Sequence, residues 1–203
     1  VPGDEEVIRN DHYELLRFQM QAGVREELYD LATDPWETND LLLQPLSPAA
    51  ETAYRDLSTA LARLRGIALA TPFGSGCGGG GTQPELRAVT APVLGSVFRM
   101  RVTGLTGAVS ATIGAIGFDD ELWLGSTLPL DLTPLGMTGC TLLVAPTITK
   151  LLSPGSAVVW LEALPNDPSL IGLGFYTQAF IILAGANPAN VLATRALEVI
   201  LGY

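Results

Sequence analysis

Few residues of this chain have the chemistry to form a site: two cysteines, Cys77 and Cys140, one histidine, His12, three tryptophans, and a short run of acids. If the chain is exported, an even cysteine pair reads as a disulfide, closing a loop of about 60 residues and restricting the unfolded chain by roughly 3–4 kcal/mol. Two free or metal-binding thiols are the alternative, although a lone pair without histidine neighbours makes a poor zinc site. Asp30, Asp34, Glu37 and Asp40 could collect calcium. They lack the D-x-D-x-D-G spacing of a dedicated loop, so local turn capping is the competing use. His12 with a serine and an aspartate could complete a triad. No G-x-S-x-G elbow is present to hold that serine, which leaves His12 a structural or solvent-facing residue beside a turn. Trp123 follows Asp119-Asp120-Glu121 in an expected loop, where its ring could stack on a sugar. Trp36, Trp160 and Tyr176 offer similar faces, and core or lid packing is the other use of all four. Gly74, Gly76 and Gly79 match G-x-G-x-x-G, but Thr82-Gln83-Pro84 follows and no helix opens there, as a dinucleotide loop requires. No catalytic, cofactor-binding or metal-ligating residue is assigned.

The bulk composition narrows the function classes further. A net charge of −10 over 203 residues argues against binding a nucleic-acid backbone or an anionic membrane surface. A single histidine excludes multi-histidine metal sites within the chain. The sequence starts at Val1 with no charged-then-apolar leader, so it is expected to be a fragment. Residues 1–66 hold 13 acids and 6 bases, residues 67–203 hold 8 acids and 5 bases, and 19 of the 22 glycines fall in the second part. That shift predicts two units, 1–66 and 84–203, joined by a glycine-rich linker over 67–83. The uncharged stretch from Leu170 to Ala186 is apolar enough to suggest a membrane span, but Gly172, Gly174, Gln178 and Gly185 interrupt it. Phe175, Tyr176, Phe180, Ile181 and Ile182 favour a buried strand there instead.

The elements that must position these residues follow from spacing. Val7 to Arg9 and His12 to Gln19 read as strands joined at Asn10-Asp11, and Gln21-Ala22-Gly23 as the next turn. Glu27 to Leu31 alternates as a third strand, which Asp34-Pro35 stops. Glu37, Thr38 and Asn39 close a polar turn, and Leu41, Leu42 and Leu43 form an apolar anchor. A helix follows: Ser47 suits the N-cap, Pro48 the first position, Glu51 the first turn, and Gly66 the left-handed cap. Tyr54, Leu57, Leu61 and Leu64 make its apolar stripe. So small a unit is expected to leave apolar residues of 7–18 and 41–46 partly exposed. Beyond Pro84 the candidate strands are Glu85–Val89, Val97–Thr103, Val109–Gly114, Cys140–Ala145, Ala157–Ala163, Gly172–Leu183 and Ala193–Leu201, which together argue for an antiparallel sandwich.

Two resemblances can be placed on these residues. Glu27-Leu28-Tyr29-Asp30-Leu31, Asp34-Pro35, Glu37, Asn39 and Leu41 resemble the closing signature of the type I sulfatases, in the alkaline-phosphatase-like superfamily. Ile8 to Phe18 is similar to the strand pair before that signature, departing from it at Glu14, where a lysine is usual. The resemblance covers roughly residues 5 to 66 and implies a small C-terminal subdomain, a short antiparallel sheet with one helix, that leans on an upstream catalytic domain of the same polypeptide. The family's calcium ligands, its histidines and its C/S-x-P-x-R formylglycine site all lie upstream of the signature, and neither Cys77 nor Cys140 fits that motif. No catalytic residue is carried over. The stretches Phe73 to Cys77, Ala91 to Gly95, Leu135 to Leu142 and Leu164 to Gln178 are similar to a β-module that ends secreted or surface proteins of planctomycetes and related bacteria. The fold expected is thus a small α+β subdomain followed by an all-β antiparallel sandwich. The function expected is a non-catalytic C-terminal portion of a secreted, periplasmic or surface-bound bacterial sulfatase-like hydrolase. The alternative is a surface-adhesion or glycan-binding module without enzymatic activity, taking sulfated glycans or a cell-surface polymer as partner. The upstream gene, carrying or lacking the C/S-x-P-x-R motif, distinguishes the two.

Overall fold

The structure, a computed structural model, describes residues 5–20, 23–79, 81–106, 109–153, 155 and 157–203. The chain divides into two compact units, Val1–Arg65 and Gly66–Tyr203.

The first unit is a three-stranded antiparallel sheet, β1 (Glu5–Arg9), β2 (Tyr13–Met20) and β3 (Gly23–Asp30), in the order β1-β2-β3. The Asn10 side chain makes the first turn by accepting the N–H groups of His12 and Tyr13 at 2.9 and 2.8 Å. In the second turn, Gln21 and Ala22 lie outside the described residues. Leu15 faces Leu28 across the ladder, and both are buried against Ala50 and Leu57 of α1 (Pro48–Arg65). Ser47 caps that helix as expected, its hydroxyl accepting the Ala50 N–H at 3.2 Å. At the other end Gly66 takes a φ of +66°, the left-handed stop. The expected stripe holds at Leu57 and Leu61, whereas Leu64 is 77% exposed. Seven residues make nearly two whole turns, so Leu64 keeps the direction of Leu57 and is exposed next to the helix end at Arg65. The expected exposure of apolar residues in 7–18 and 41–46 is confined to a few positions. Val7 and Leu43 face solvent, while Leu15 and Leu16 are buried and Leu41, Leu42 and Leu46 pack on the small core.

The second unit is an antiparallel sandwich of two larger sheets, accompanied by two two-stranded ladders. Its strands are β4 (Leu69–Phe73), β5 (Glu85–Ala88), β6 (Val97–Thr103), β7 (Val109–Gly117), β8 (Leu122–Trp123), β9 (Ser126–Thr127), β10 (Leu130–Asp131), β11 (Thr141–Leu142), β12 (Ile148–Leu152), β13 (Val158–Ala163), β14 (Gly174–Leu183), β15 (Val191–Ala193) and β16 (Ala196–Ile200). The large sheet runs β12-β7-β14-β16-β4, with β15 also on β14; the small sheet runs β13-β6-β5. Alternation places Phe98, Met100 and Val102 of β6 inward, where they meet Ala179 and Ile181 of β14 and Leu197 and Val199 of β16 in one core. Trp160, fully buried on β13, lies so close to the backbone of β7 that a Cβ at Gly114 would stand 2.7 Å from its ring. Glycine at 114 therefore makes room for the largest side chain of the core.

Residues 67–83, expected as a linker, belong to the sandwich. Leu69–Phe73 is an edge strand paired with β16, and Gly76 passes so close to the backbone at Ala193 to Arg195 that a Cβ would stand 2.8 Å from the Ala193 carbonyl oxygen. The glycines serve close approach there; Gly80 lies outside the described residues. The expected strand Cys140–Ala145 shortens to Thr141–Leu142, and Ala193–Leu201 breaks into β15 and β16. At the break, the Thr194 side-chain oxygen and N–H bond to Ala179, replacing regular ladder pairing. Among the described residues no helix is long and apolar enough to cross a membrane, and Leu170 to Ala186 holds β14 rather than a helical span.

Candidate functional site

In the first unit the acidic run folds into caps. Asp34 accepts the N–H groups of Thr38 and Asn39, both at 2.8 Å, and the Thr38 hydroxyl at 3.0 Å. These bonds, with the Asn39 N–H foremost, hold the Asp34 carboxyl below the usual carboxylate range. Asp40 accepts Leu28 N–H at 3.1 Å and Leu42 N–H at 3.0 Å, tying the edge of β3 to the leucine anchor, and Asp30 accepts Ala32 N–H at 3.0 Å. Glu37 occupies the turn with a φ of +52°. Backbone donors thus engage three of the four carboxylates, and among the described residues no group of three or more His, Cys, Asp or Glu is placed to hold a metal ion.

One consequence is a pH signature. Because the folded pKa of Asp34 lies below its unfolded value, its stabilisation is full above the ordinary carboxylate range and fades as pH falls through the depressed value. Asp34→Ala is expected to speed amide exchange across β3 at neutral pH, with the difference from the unaltered chain shrinking in acid. A difference that grows on acidification would contradict this.

Beneath α1 lies a polar cluster that spacing did not reveal. Glu26 accepts Arg17 Nε at 2.8 Å and Arg17 Nη2 at 2.6 Å on one oxygen, and the Tyr54 hydroxyl at 2.6 Å on the other. Burial and then this bond push the Tyr54 phenol up to about 12. Tyr54 belongs to the expected apolar stripe, and its hydroxyl also anchors the helix to β3, the polar handle such rings keep when buried. His12 is exposed at the β1–β2 turn, with its backbone N–H on Asn10.

In the sandwich, Cys77 and Cys140 form the expected disulfide, and both are buried. The Cys77 sulfur also accepts the Ala193 N–H at 3.0 Å. Next to it Gln178, fully buried on the face of β14 turned away from the small sheet, donates to Thr141 O and Thr194 O, each at 2.9 Å, and accepts Leu143 N–H at 3.0 Å. One side chain thereby fixes the segment after Cys140 to the back of the large sheet. Trp123 sits in the β8–β9 hairpin, closed by Leu124 (φ +48°) and Gly125 (φ +84°), with its ring half-buried against the main core. Trp36 is 85% exposed, Trp160 is enclosed, and Tyr176 meets Phe73 edge to face at 5.8 Å.

The two flanks of the sandwich differ. On the β12–β13 flank, Lys150 reaches across to Leu161 O at 3.0 Å and Glu162 Oε1 at 3.1 Å, and Trp160 Nε1 donates to the same carboxylate at 2.5 Å, which closes that side. On the opposite flank β4 and β5 leave a cleft of about 320 Å³, floored by Ala70, Pro72, Leu86, Ala88 and Leu197 and edged by Glu85, Arg87 and Arg195. Its lining mixes aliphatic side chains with one acid and two arginines, and its size is near the lower limit for a small-molecule site. No nucleophile–base pair lines it.

Scans against protein-family models, curated proteins and solved structures give no match to this chain.

Proposed function

We propose that the first unit is the closing subdomain of a sulfatase-like hydrolase and that the sandwich is its exported, non-catalytic accessory module. The observation that carries this reading is the order of parts in the first unit. A strand pair and a third antiparallel strand lead into the Asp34-centred turn, and one helix then packs on the sheet through Leu57 and Tyr54. That is the arrangement the resemblance of Glu27 to Leu41 implies, with the turn residues of the signature engaged as structural caps. A buried disulfide suits an oxidising compartment outside the cytosol. Calcium and a formylglycine nucleophile would then belong to the upstream catalytic domain, and this chain would brace that domain.

The reading frame upstream of Val1 tests the proposal. An in-frame C/S-x-P-x-R motif with an aspartate-rich metal set supports it, and a frame lacking both overturns it in favour of an adhesion module. A second readout is turnover of 4-methylumbelliferyl sulfate by this chain alone, where a rate above buffer would contradict the non-catalytic assignment.

A further inference from the structure

The sandwich unit has five basic residues, and three of them, Arg87, Arg99 and Arg101, share the outward face of the small sheet. Register sets Arg87 of β5 directly opposite Arg101 of β6. Cross-strand neighbours stand ~5 Å apart, and like charges so placed destabilise a sheet, a cost that an anion between them offsets. Arg99 precedes Arg101 by two residues on β6, ~7 Å away. Arg87 also edges the cleft that Arg195 lines, so the cationic strip continues from the sheet face over the β5 edge. Among the described outward residues of β5 and β6 the acid is Glu85, which pairs with Arg87 at 2.8 Å and leaves the Arg87 side chain 69% exposed.

The arrangement also indicates what the strip fits. Arg99 and Arg101 occupy the central strand, while the exposed aliphatics Val159 and Leu161 lie on the margin at β13. Protein interfaces show the reverse, an apolar centre within a charged rim. The outward residues of β5, β6 and β13 include no aromatic ring on which a neutral sugar or an unstacked base could lie. A row of guanidinium forks suits oxyanions repeated along a chain, each taken bidentately. We propose that this face docks a linear polysaccharide bearing sulfate esters. The inference rests on the sandwich alone and stands whether or not the first unit belongs to a hydrolase.

The test is binding of the full chain to dextran sulfate, with neutral dextran and poly-L-glutamate as the other probes. Dextran sulfate is expected to bind at low salt and neutral dextran not to bind. Arg99→Ser with Arg101→Ser should weaken binding about tenfold or more and lower the slope of log K against log salt by about 2, one for each contact removed. An unchanged urea midpoint confirms that the double variant is folded. Arg9→Ser, which removes an exposed arginine of the first unit, should leave affinity unchanged. No binding of dextran sulfate, an equal loss in Arg9→Ser, or tighter binding of poly-L-glutamate than of dextran sulfate would each overturn the proposal.

Discussion

Gln178→Leu is expected to destabilise the sandwich by about 3 to 5 kcal/mol, because it strands two buried backbone groups and one partly buried one at ~1–3 kcal/mol each. The groups are the carbonyls of Thr141 and Thr194 and the N–H of Leu143, all bonded to the Gln178 amide at 2.9–3.0 Å. Leucine has nearly the same volume, so packing is conserved and the loss reports the hydrogen bonds. A domain of this kind has only ~5–15 kcal/mol to lose. Trp160, enclosed in the core, gives the fluorescence readout for urea unfolding. Thr194→Val, which removes a single acceptor for Ala179 N–H at 3.0 Å, should cost less. A Gln178→Leu variant within 1 kcal/mol of the unaltered chain, the mean worth of a single hydrogen bond, would mean that those backbone groups find water instead.

The second large effect is expected from the disulfide. Cys77 and Cys140 are 63 residues apart, and closing a loop of that length restricts the unfolded chain by about 4 kcal/mol. Cys77→Ala with Cys140→Ala avoids burying new hydroxyls and should lower the urea midpoint of the sandwich accordingly. The two effects are coupled, because the segment after Cys140 is held by the disulfide at one end and by Gln178 at Thr141 and Leu143. Gln178→Leu should therefore cost a different amount in the cysteine-free background, and the double-mutant cycle measures that coupling. Two alkylatable thiols in the folded, unreduced protein would remove the basis for this expectation.

Much of the architecture was legible wherever one residue's local preference and its tertiary role agree. Val97–Thr103 alternates because one face is core and the other solvent, and the structure reproduces those bounds. The helix is announced by Ser47-Pro48 and ended by Gly66, since caps act on groups within one turn. Asp34-Pro35 marks a turn whose bonds all close within five residues. Legibility failed where partners lie far away in sequence. Leu69–Phe73 carries Pro72 and precedes a glycine run, so it read as linker; proline is tolerated because β4 is an edge strand. Gln178 read as an interruption of an apolar run, and only the fold supplies its partners at Thr141, Leu143 and Thr194. The hairpin holding Trp123 turns through Leu124 at positive φ, where no Asn-Gly or Asp-Gly pair advertises it. The arginine strip depends on the register of β5 against β6, which no single strand records.

The structural premise beneath these functional readings is that the glycine-rich stretch is part of a disulfide-pinned sandwich rather than a tether between two parts. Hydrogen exchange of the intact, oxidised chain measures this directly. The expected result is that Leu69–Phe73 is protected to the same degree as Gly174–Leu183, with the change of unit falling at Arg65–Gly66. Exchange of Leu69–Phe73 at the rate of an unstructured peptide, while Gly174–Leu183 stays protected, would contradict it.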